Sequence, residues 1–316
     1  MKTTIVIPSY DEAELLRVSL PAAAAQEDAE IVVVDASSAD GSAALAREHG
    51  ARVVSVPGAS SYCEAIEAGI DAAGGDSVLL TNADCFLEPG FLAAARPRLA
   101  EPGVGAVAPK LIRTLGPGAG ERLDAIDAAS MTIDRRRKNT IAGHGRPSGA
   151  FDLPGECFGV DGAAALYRRE TLEDCRIEGR VFDPDFERWA SDVDLAWRAR
   201  ALGWRCVYEP GAVAYHVRCY SPSTRRQMSR ESRQMQFRNR YLMMAKNDTL
   251  RDLLRDSPRI LAWEAAALAY TLLREPHLLL AYRDAARRLP AALRKRRELA
   301  ARRSPARVPF GLEPQP

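Results

Sequence analysis

The N-terminal third of the chain alternates two rhythms. Short β-branched or apolar runs, Thr3–Ile7, Glu30–Asp35, Arg52–Val56 and Ser77–Thr81, are separated by stretches with helical spacing, Asp11–Ala25, Ala43–His49 and Tyr62–Ala73. Continuous apolar runs of this length suit buried strands, and helices between them form βαβ units. The pattern therefore predicts an α/β chain with a mainly parallel central sheet flanked by helices. Asp11 stands where an N-cap for the first helix is expected. Right-handed crossovers bring the strand ends Pro8, Asp35 and Asn82 to one edge, where open α/β sheets bind ligands.

The middle of the chain is less regular. Val104–Ala108 and Ala163–Tyr167 predict strands, Ser191–Leu202 a helix, and Cys206–Tyr208 with Ala212–Val217 two short strands. Gly116–Gly120 and Arg135–Gly149, rich in glycine, proline and charge, predict loops able to order over a substrate. From Pro222 onward the spacing turns helical. Ile260–Leu273 is strongly apolar but stops short of the about 20 residues a bilayer span needs. Tyr282–Arg303 is strongly basic. An apolar helix followed by a basic one suits an anionic membrane face, and packing on the body with a solvated basic face accounts for the same residues.

Composition narrows the classes. The 316 residues are 47% hydrophobic and 27% charged, which excludes a disordered or polytopic membrane chain. Lys and Arg number 44 against 42 acidic residues, so no global field favours nucleic acid. The cysteines (Cys63, Cys85, Cys157, Cys175, Cys206 and Cys219) lie far apart, with no CxxC pair and no histidine at zinc spacing. The opening residues predict a strand rather than a signal peptide, and with it a reducing cytoplasmic setting.

Several carboxylates stand where chemistry is done. Asp35, Asp40, Asp84 and Asp192 fall at predicted strand ends or at a helix start. Asp35 can accept hydrogen bonds from a ribose or a base, or serve the turn that follows. In Thr81-Asn82-Ala83-Asp84 one carboxylate follows a buried strand; such a group can hold a hard divalent ion that shares a diphosphate, or cap the next helix. His216 ends an apolar run, as a core imidazole or, should it face Asp84, as a metal ligand. Ser191-Asp192-Val193-Asp194 places two carboxylates in the first turn of a helix, where the macrodipole favours the ionised form. Either a cap or a general base fits there. Gly155–Gly162 suits close approach of backbone to a ligand, or a simple turn; Trp189, Trp197 and Trp204 suit sugar stacking or the core. No GxGxxG follows the first strand, which disfavours a dinucleotide oxidoreductase.

In order, these pieces resemble the inverting glycosyltransferases of family 2, which have a GT-A fold. The carriers are Val6-Ile7-Pro8-Ser9-Tyr10-Asp11-Glu12, Val34-Asp35-Ala36-Ser37-Ser38-Ala39-Asp40-Gly41-Ser42, Leu79-Leu80-Thr81-Asn82-Ala83-Asp84, Glu88-Pro89-Gly90-Phe91-Leu92 and Ser191-Asp192-Val193-Asp194-Leu195-Ala196-Trp197-Arg198. Gly203-Trp204-Arg205, Ala214-Tyr215-His216 and Arg238-Asn239-Arg240-Tyr241 fit as well, so the resemblance spans about residues 3–250. Within the family the chain is most similar to bacterial rhamnosyltransferase-like enzymes of O-antigen and cell-wall polysaccharide assembly. The resemblance implies a GT-A domain over residues 1–225, with a nucleotide-sugar-binding half (1–103) and an acceptor half (104–225), and a helical, basic extension over 226–316.

It also implies roles. Pro8, Tyr10, Glu12, Asp35, Ser37, Asn82 and Asp84 would bind the donor, Asp84 and His216 a Mg²⁺ or Mn²⁺ ion, and Asp192 would be the catalytic base. Asn82 stands in place of the first aspartate of the family's DxD, Ser191 in place of a glutamate, and Ile66-Glu67-Ala68-Gly69 where an Arg-Asn-x-Gly pattern is frequent. The implied reaction moves a sugar, rhamnose from dTDP-rhamnose, to a saccharide or lipid-linked saccharide hydroxyl at the inner face of the cell membrane. The alternative is a catalytically impaired sugar-nucleotide- or glycan-binding protein on the same fold. The C-terminal helices serve equally as a membrane foot or a homodimer seam.

Overall fold

A computed structural model of the chain describes residues 1–218 and 224–316. Cys219 and the predicted start of the helical region at Pro222 lie outside the described residues. The elements β1 (Thr3–Ser9), α1 (Ala13–Ala24), β2 (Ala29–Asp35), α2 (Ser42–Glu48), β3 (Arg52–Ser55), α3 (Tyr62–Ala72) and β4 (Ser77–Thr81) alternate as the periodicity predicts. There follow β5 (Cys85–Leu87), α4 (Phe91–Leu99), β6 (Val104–Thr114), β7 (Arg122–Ala128), a hairpin of β8 (Ser130–Ile133) and β9 (Asn139–Ala142), and β10 (Gly155–Cys157). Then come β11 (Ala164–Arg168), α5 (Arg169–Asp174), α6 (Ser191–Leu202), β12 (Arg205–His216), α7 (Arg230–Asn247), α8 (Leu250–Arg274) and α9 (Leu279–Arg302).

The central ten-stranded sheet runs β10-β12-β6-β11-β4-β1-β2-β3, with β5 added beside β12 and β7 beside β6. It is mixed. The run β4-β1-β2-β3 and the β6–β12 pair are parallel, and antiparallel β11 joins them. Alternation along β1 sends Ile5 and Ile7 to the face covered by α1, through Leu16 and Leu20, and Val6 to the face covered by α3 through Ile66 and Ile70. Gly69 lets α3 approach, since a Cβ there would lie 2.2 Å from Val6 Cγ1.

Three local expectations are corrected. Asp11 does not cap α1: it sits at φ +52°, and its Oδ1 accepts from Ala39 N at 2.7 Å. The N–H of Ala13 is met instead by Asp40 Oδ2 at 2.7 Å, so Asp40 fastens the β1–α1 turn to the β2–α2 turn. The two short strands after α6 are one, β12, whose register shifts between Glu209 and Val213, where Pro210 and Gly211 had read as a break. The stretch Arg135–Gly149 holds a strand, β9, paired antiparallel with β8.

The C-terminal helices pack on the body largely through charge. Lys246 of α7 reaches Asp183 at 2.6 Å and Asp194 at 2.8 Å, and Lys295 of α9 meets Asp183 and Asp185 at 2.6 Å. Buried Arg137, in the β8–β9 turn, pairs with Asp248 at 2.7 Å and Asp256 at 2.9 Å. Much of the basic run on α9 is thus structural: Arg288 and Arg294 pair with acids, and Arg296, Arg302 and Arg303 donate to backbone carbonyls.

Candidate active site

The carboxyl edge of the sheet gathers the polar residues. Antiparallel pairing sets His216, at the end of β12, opposite Cys85 of β5, which brings Asp84 beside it. His216 Nε2 lies 3.5 Å from Asp84 Oδ1. On the other side of the ring, Nδ1 is 2.8 Å from Oδ2 of fully buried Asp127, carried by β7 across β6 from β12. Arg218 donates from Nε to Asp127 Oδ1 at 2.6 Å and from Nη2 to Asp161 Oδ2 at 2.7 Å. One cation therefore ties the His216 side of the cleft to the Asp161 side.

Asp192 stands on that second side. Its Oδ2 accepts the Gly162 N–H at 3.1 Å and its Oδ1 accepts Val193 N–H at 2.8 Å. It is not the cap of α6, a place taken by Ala190 in the left-handed region. Asp194, which the sequence left as a second candidate, is spoken for: it is 1% exposed and bonded to Arg198, Lys246 and Asn247. Burial, and then the nearby charge of Asp161, push the Asp192 carboxyl up to about 6. A carboxylate in that range is ionised at neutral pH and basic enough to take a proton.

A Cβ at Gly162 would come 3.3 Å from Asp192 Oδ2, a tight contact that the carboxylate would have to yield to. Tyr62 adds a donor not foreseen from sequence. Its hydroxyl donates to Asn82 Oδ1 at 3.2 Å. Burial, with Asp192, Asp161 and Asp84 around it, holds its pKa far above the ordinary phenol value, so it stays neutral.

The expected donor-binding residues lie at the ends of β1 and β2. Pro8 is half-buried in register with Val34, Tyr10 is exposed, and Asp35 is buried, its Oδ1 lacking a hydrogen-bond partner among the described residues. Ser37 is exposed at φ +62°, its hydroxyl on Val56 O. Burial, then repulsion from Asp84, raises Glu12 to about 7. The structure thus brings Asn82, Asp84 and His216 together, links Asp192 to them through Asp161, Arg218 and Asp127, and sets Glu12 within electrostatic reach of Asp84. Glu67, at the position where the family pattern differs, is structural: it accepts from Val181 N, Phe182 N and Arg176. Trp197 is buried edge-on to Phe310, and Trp204 donates to Asp174.

These residues fit a divalent ion. Among the described residues the buried Asp84 Oδ1 has no hydrogen-bond partner, and Asp127 fixes the imidazole so that Nε2 faces it. This is the carboxylate–histidine arrangement that orients a ligating imidazole. Among the described residues no group of three or more His, Cys, Asp or Glu side chains is placed to hold a metal ion, so Asp84 and His216 alone would leave the other positions of a shell to other ligands. Burial would lower the pKa of His216, but Asp127 and then Asp84 raise it to about 9, so an ion binding there must displace the Nε2 proton.

Residues 4–176 match the sequence profile of glycosyl transferase family 2. The chain belongs to that family. Comparison with curated protein sequences finds no match. Among solved structures, this family 2 chain is similar to the mannosyltransferase PcManGT of Pyrobaculum calidifontis, in complex with GDP-Man and Mn²⁺, at 20% identity and a TM-score of 0.53 over 95% of this chain and 85% of that one. It is similar to residues 1–349 of S. aureus TarS in complex with UDP-GlcNAc, at 14% identity and a TM-score of 0.59 over 95% and 91%. It is also similar to GalNAc-T7 with UDP, GalNAc and Mn²⁺, at 12% identity and a TM-score of 0.59, covering 78% of this chain and 48% of that one. At these identities the likeness is one of fold, and the fold is GT-A.

Proposed function

We propose that the chain is an inverting, metal-dependent glycosyltransferase that moves a sugar from a nucleoside diphosphate to a saccharide or lipid-linked saccharide hydroxyl, with dTDP-rhamnose as donor. The observation that carries the reading is the division of labour on α6. Asp194 is locked in ion pairs, while Asp192, two residues earlier, keeps a basic carboxylate that, among the described residues, is held by backbone N–H groups.

In this reading Asp35 and Ser37, with Pro8, Tyr10 and Glu12, hold the nucleoside, and Asn82, positioned by Tyr62, lies along the diphosphate. Asp192 takes the proton of the acceptor hydroxyl as its oxygen bonds to the anomeric carbon. The bond from that carbon to the diphosphate oxygen breaks on the opposite face, and the nucleoside diphosphate leaves. Asp84 and His216 would hold Mg²⁺ or Mn²⁺, which supplies charge neutralisation to the departing diphosphate. Asp127 and Arg218 keep His216 and Asp161 in place. The GT-A unit is taken as residues 1–225, and 226–316 as its helical extension.

Thermal shift tests the donor site. A nucleotide at 100 times its Kd adds about 2.7 kcal/mol of stability. dTDP-, UDP- and GDP-sugars are compared with and without Mn²⁺, on the wild-type chain and on Asp84→Ala. The expected result is one nucleotide class that stabilises only with metal and only in the wild type. No shift with any nucleotide would overturn the proposal; a UDP- or GDP-sugar shift would replace the rhamnose donor and leave the mechanism standing.

A further inference from the structure

Helix α8 is built inside out. Its acids, Asp252, Asp256 and Glu264, all turn toward the body and are paired: Asp252 with Arg307 at 3.2 Å, Asp256 with Arg137 at 2.9 Å, and Glu264 with Tyr241 at 2.6 Å. Glu275, just past its end, pairs with Arg225 at 2.7 Å. Another face carries Leu250, Leu254, Leu261, Ala265, Leu268 and Leu272, all exposed. At 3.6 residues per turn these six fall within roughly 60° of arc along about 33 Å of helix. Leu261 is 67% exposed, Leu272 57% and Leu273 80%, and exposed Leu279 and Leu280 follow beyond the turn into α9. A globular helix ordinarily hides such a stripe. An exposed apolar patch of this extent marks an interaction surface.

The sorting of charge names the partner. With the acids turned inward, the charged groups left on the outside are arginines. Arg251, Arg259 and Arg274 of α8, and Arg283 and Arg287 of α9, are exposed and make no side-chain ion pair or hydrogen bond among the described residues. On the same spacing Arg251 borders the stripe, Arg259 and Arg274 stand on the far side of α8, and Arg283 and Arg287 follow exposed Leu279 at i+4 and i+8 on one face of α9. Exposed leucine continued by unpaired arginine is complementary to an anionic lipid surface, where acyl chains receive the leucines and headgroups the guanidinium groups. A second copy fits less well. Pro258 interrupts the heptad in which Leu254, Leu261 and Leu268 stand. Among the described residues no helix is long and apolar enough to cross a membrane, so the contact lies in the plane of the interface.

We propose that the outward face of α8 and the start of α9 dock on an anionic bilayer. The inference goes beyond the transfer reading, and its test reads partition rather than turnover, so each can fail alone. The purified full chain is floated with vesicles of phosphatidylcholine alone or with about 40% phosphatidylglycerol. The wild type is expected on the anionic vesicles, at least ten-fold enriched over neutral ones, with the enrichment falling as salt rises. Leu261→Glu with Leu268→Glu and Leu272→Glu is expected to lose partition at least ten-fold with an unchanged melting curve; should that variant melt early, Leu273→Glu alone is read instead. Arg283→Glu with Arg287→Glu is expected to remove the preference for anionic lipid. Overturning results are a wild type that stays off anionic vesicles, leucine variants that bind as the wild type does, or a dimer by light scattering that the leucine substitutions dissolve.

Discussion

Asp192 and Asp194 share a helical turn and differ in everything that decides chemistry. Asp192 has a folded-state pKa of about 6, above the ordinary 3.8. The folded chain therefore holds that proton more tightly than the unfolded one. Stability gained from it is present at acidic pH and lost as pH rises through 6, a deficit on the order of 1–3 kcal/mol at neutral pH. Asp192→Asn should then lower turnover at least 100-fold and raise Tm by a few degrees at pH 7.5, but not at pH 4.5. Wild-type turnover should climb through about pH 6. A variant that melts at or below wild type at both pH values would show that Asp192 carries no such cost. Asp84 and Asp192 were legible as candidates because they sit just past a strand and in the first turn of a helix. Asp127 and Arg218 were not. Asp127 meets His216 across 89 positions of sequence, and its one local signal is a charge among small apolar neighbours, Ala125-Ile126-Asp127-Ala128-Ala129.

At the scale of the element, α6 serves the site with its first turn and the fold with the rest. Asp194 faces Arg198 at 3.0 Å, Lys246 at 2.8 Å and Asn247 at 2.7 Å, all buried. Removing one partner of such a network strands the others, so Asp194→Ala should destabilise the chain by about 3–5 kcal/mol. A denaturant midpoint that shifts by less than about 1 kcal/mol equivalent would refute that role. The contrast with Asp192→Asn separates a residue that builds the site from one that acts in it. Strands β1, β2 and β4 and helix α6 were readable because each buries a continuous run or most of a helix, and β3, an edge strand with no buried residue, was readable from Val53-Val54. Strand β7 was not, since Arg122-Leu123-Asp124-Ala125-Ile126-Asp127 mixes charge with apolar residues beside the edge of β6, and β12 was split by Pro210-Gly211.

For the molecule as a whole, the C-terminal helices are joined to the body by ion pairs. Burial would raise Asp183 and Asp256, but Lys246 and Lys295 on the first, and Arg255, Arg135 and Arg137 on the second, hold both well below the ordinary carboxylate range. Their contribution is full above about pH 4 and is lost as pH falls below it. Acid-stable protease at pH 3 should therefore cut within α7–α9 before it cuts the sheet, and first cuts among β1–β4 would contradict this. The sequence showed a helical extension but not its manner of attachment, because an arginine paired with a carboxylate and an arginine in solvent look alike in one dimension. For α8 the attachment has a calorimetric meaning. Its buried residues are Asp252, Asp256, Ile260 and Thr271, so lifting it away would wet charge far more than hydrocarbon. Heat capacity of unfolding tracks hydrocarbon. Release of this helix would leave little mark on a thermogram, while ionic strength would move it readily.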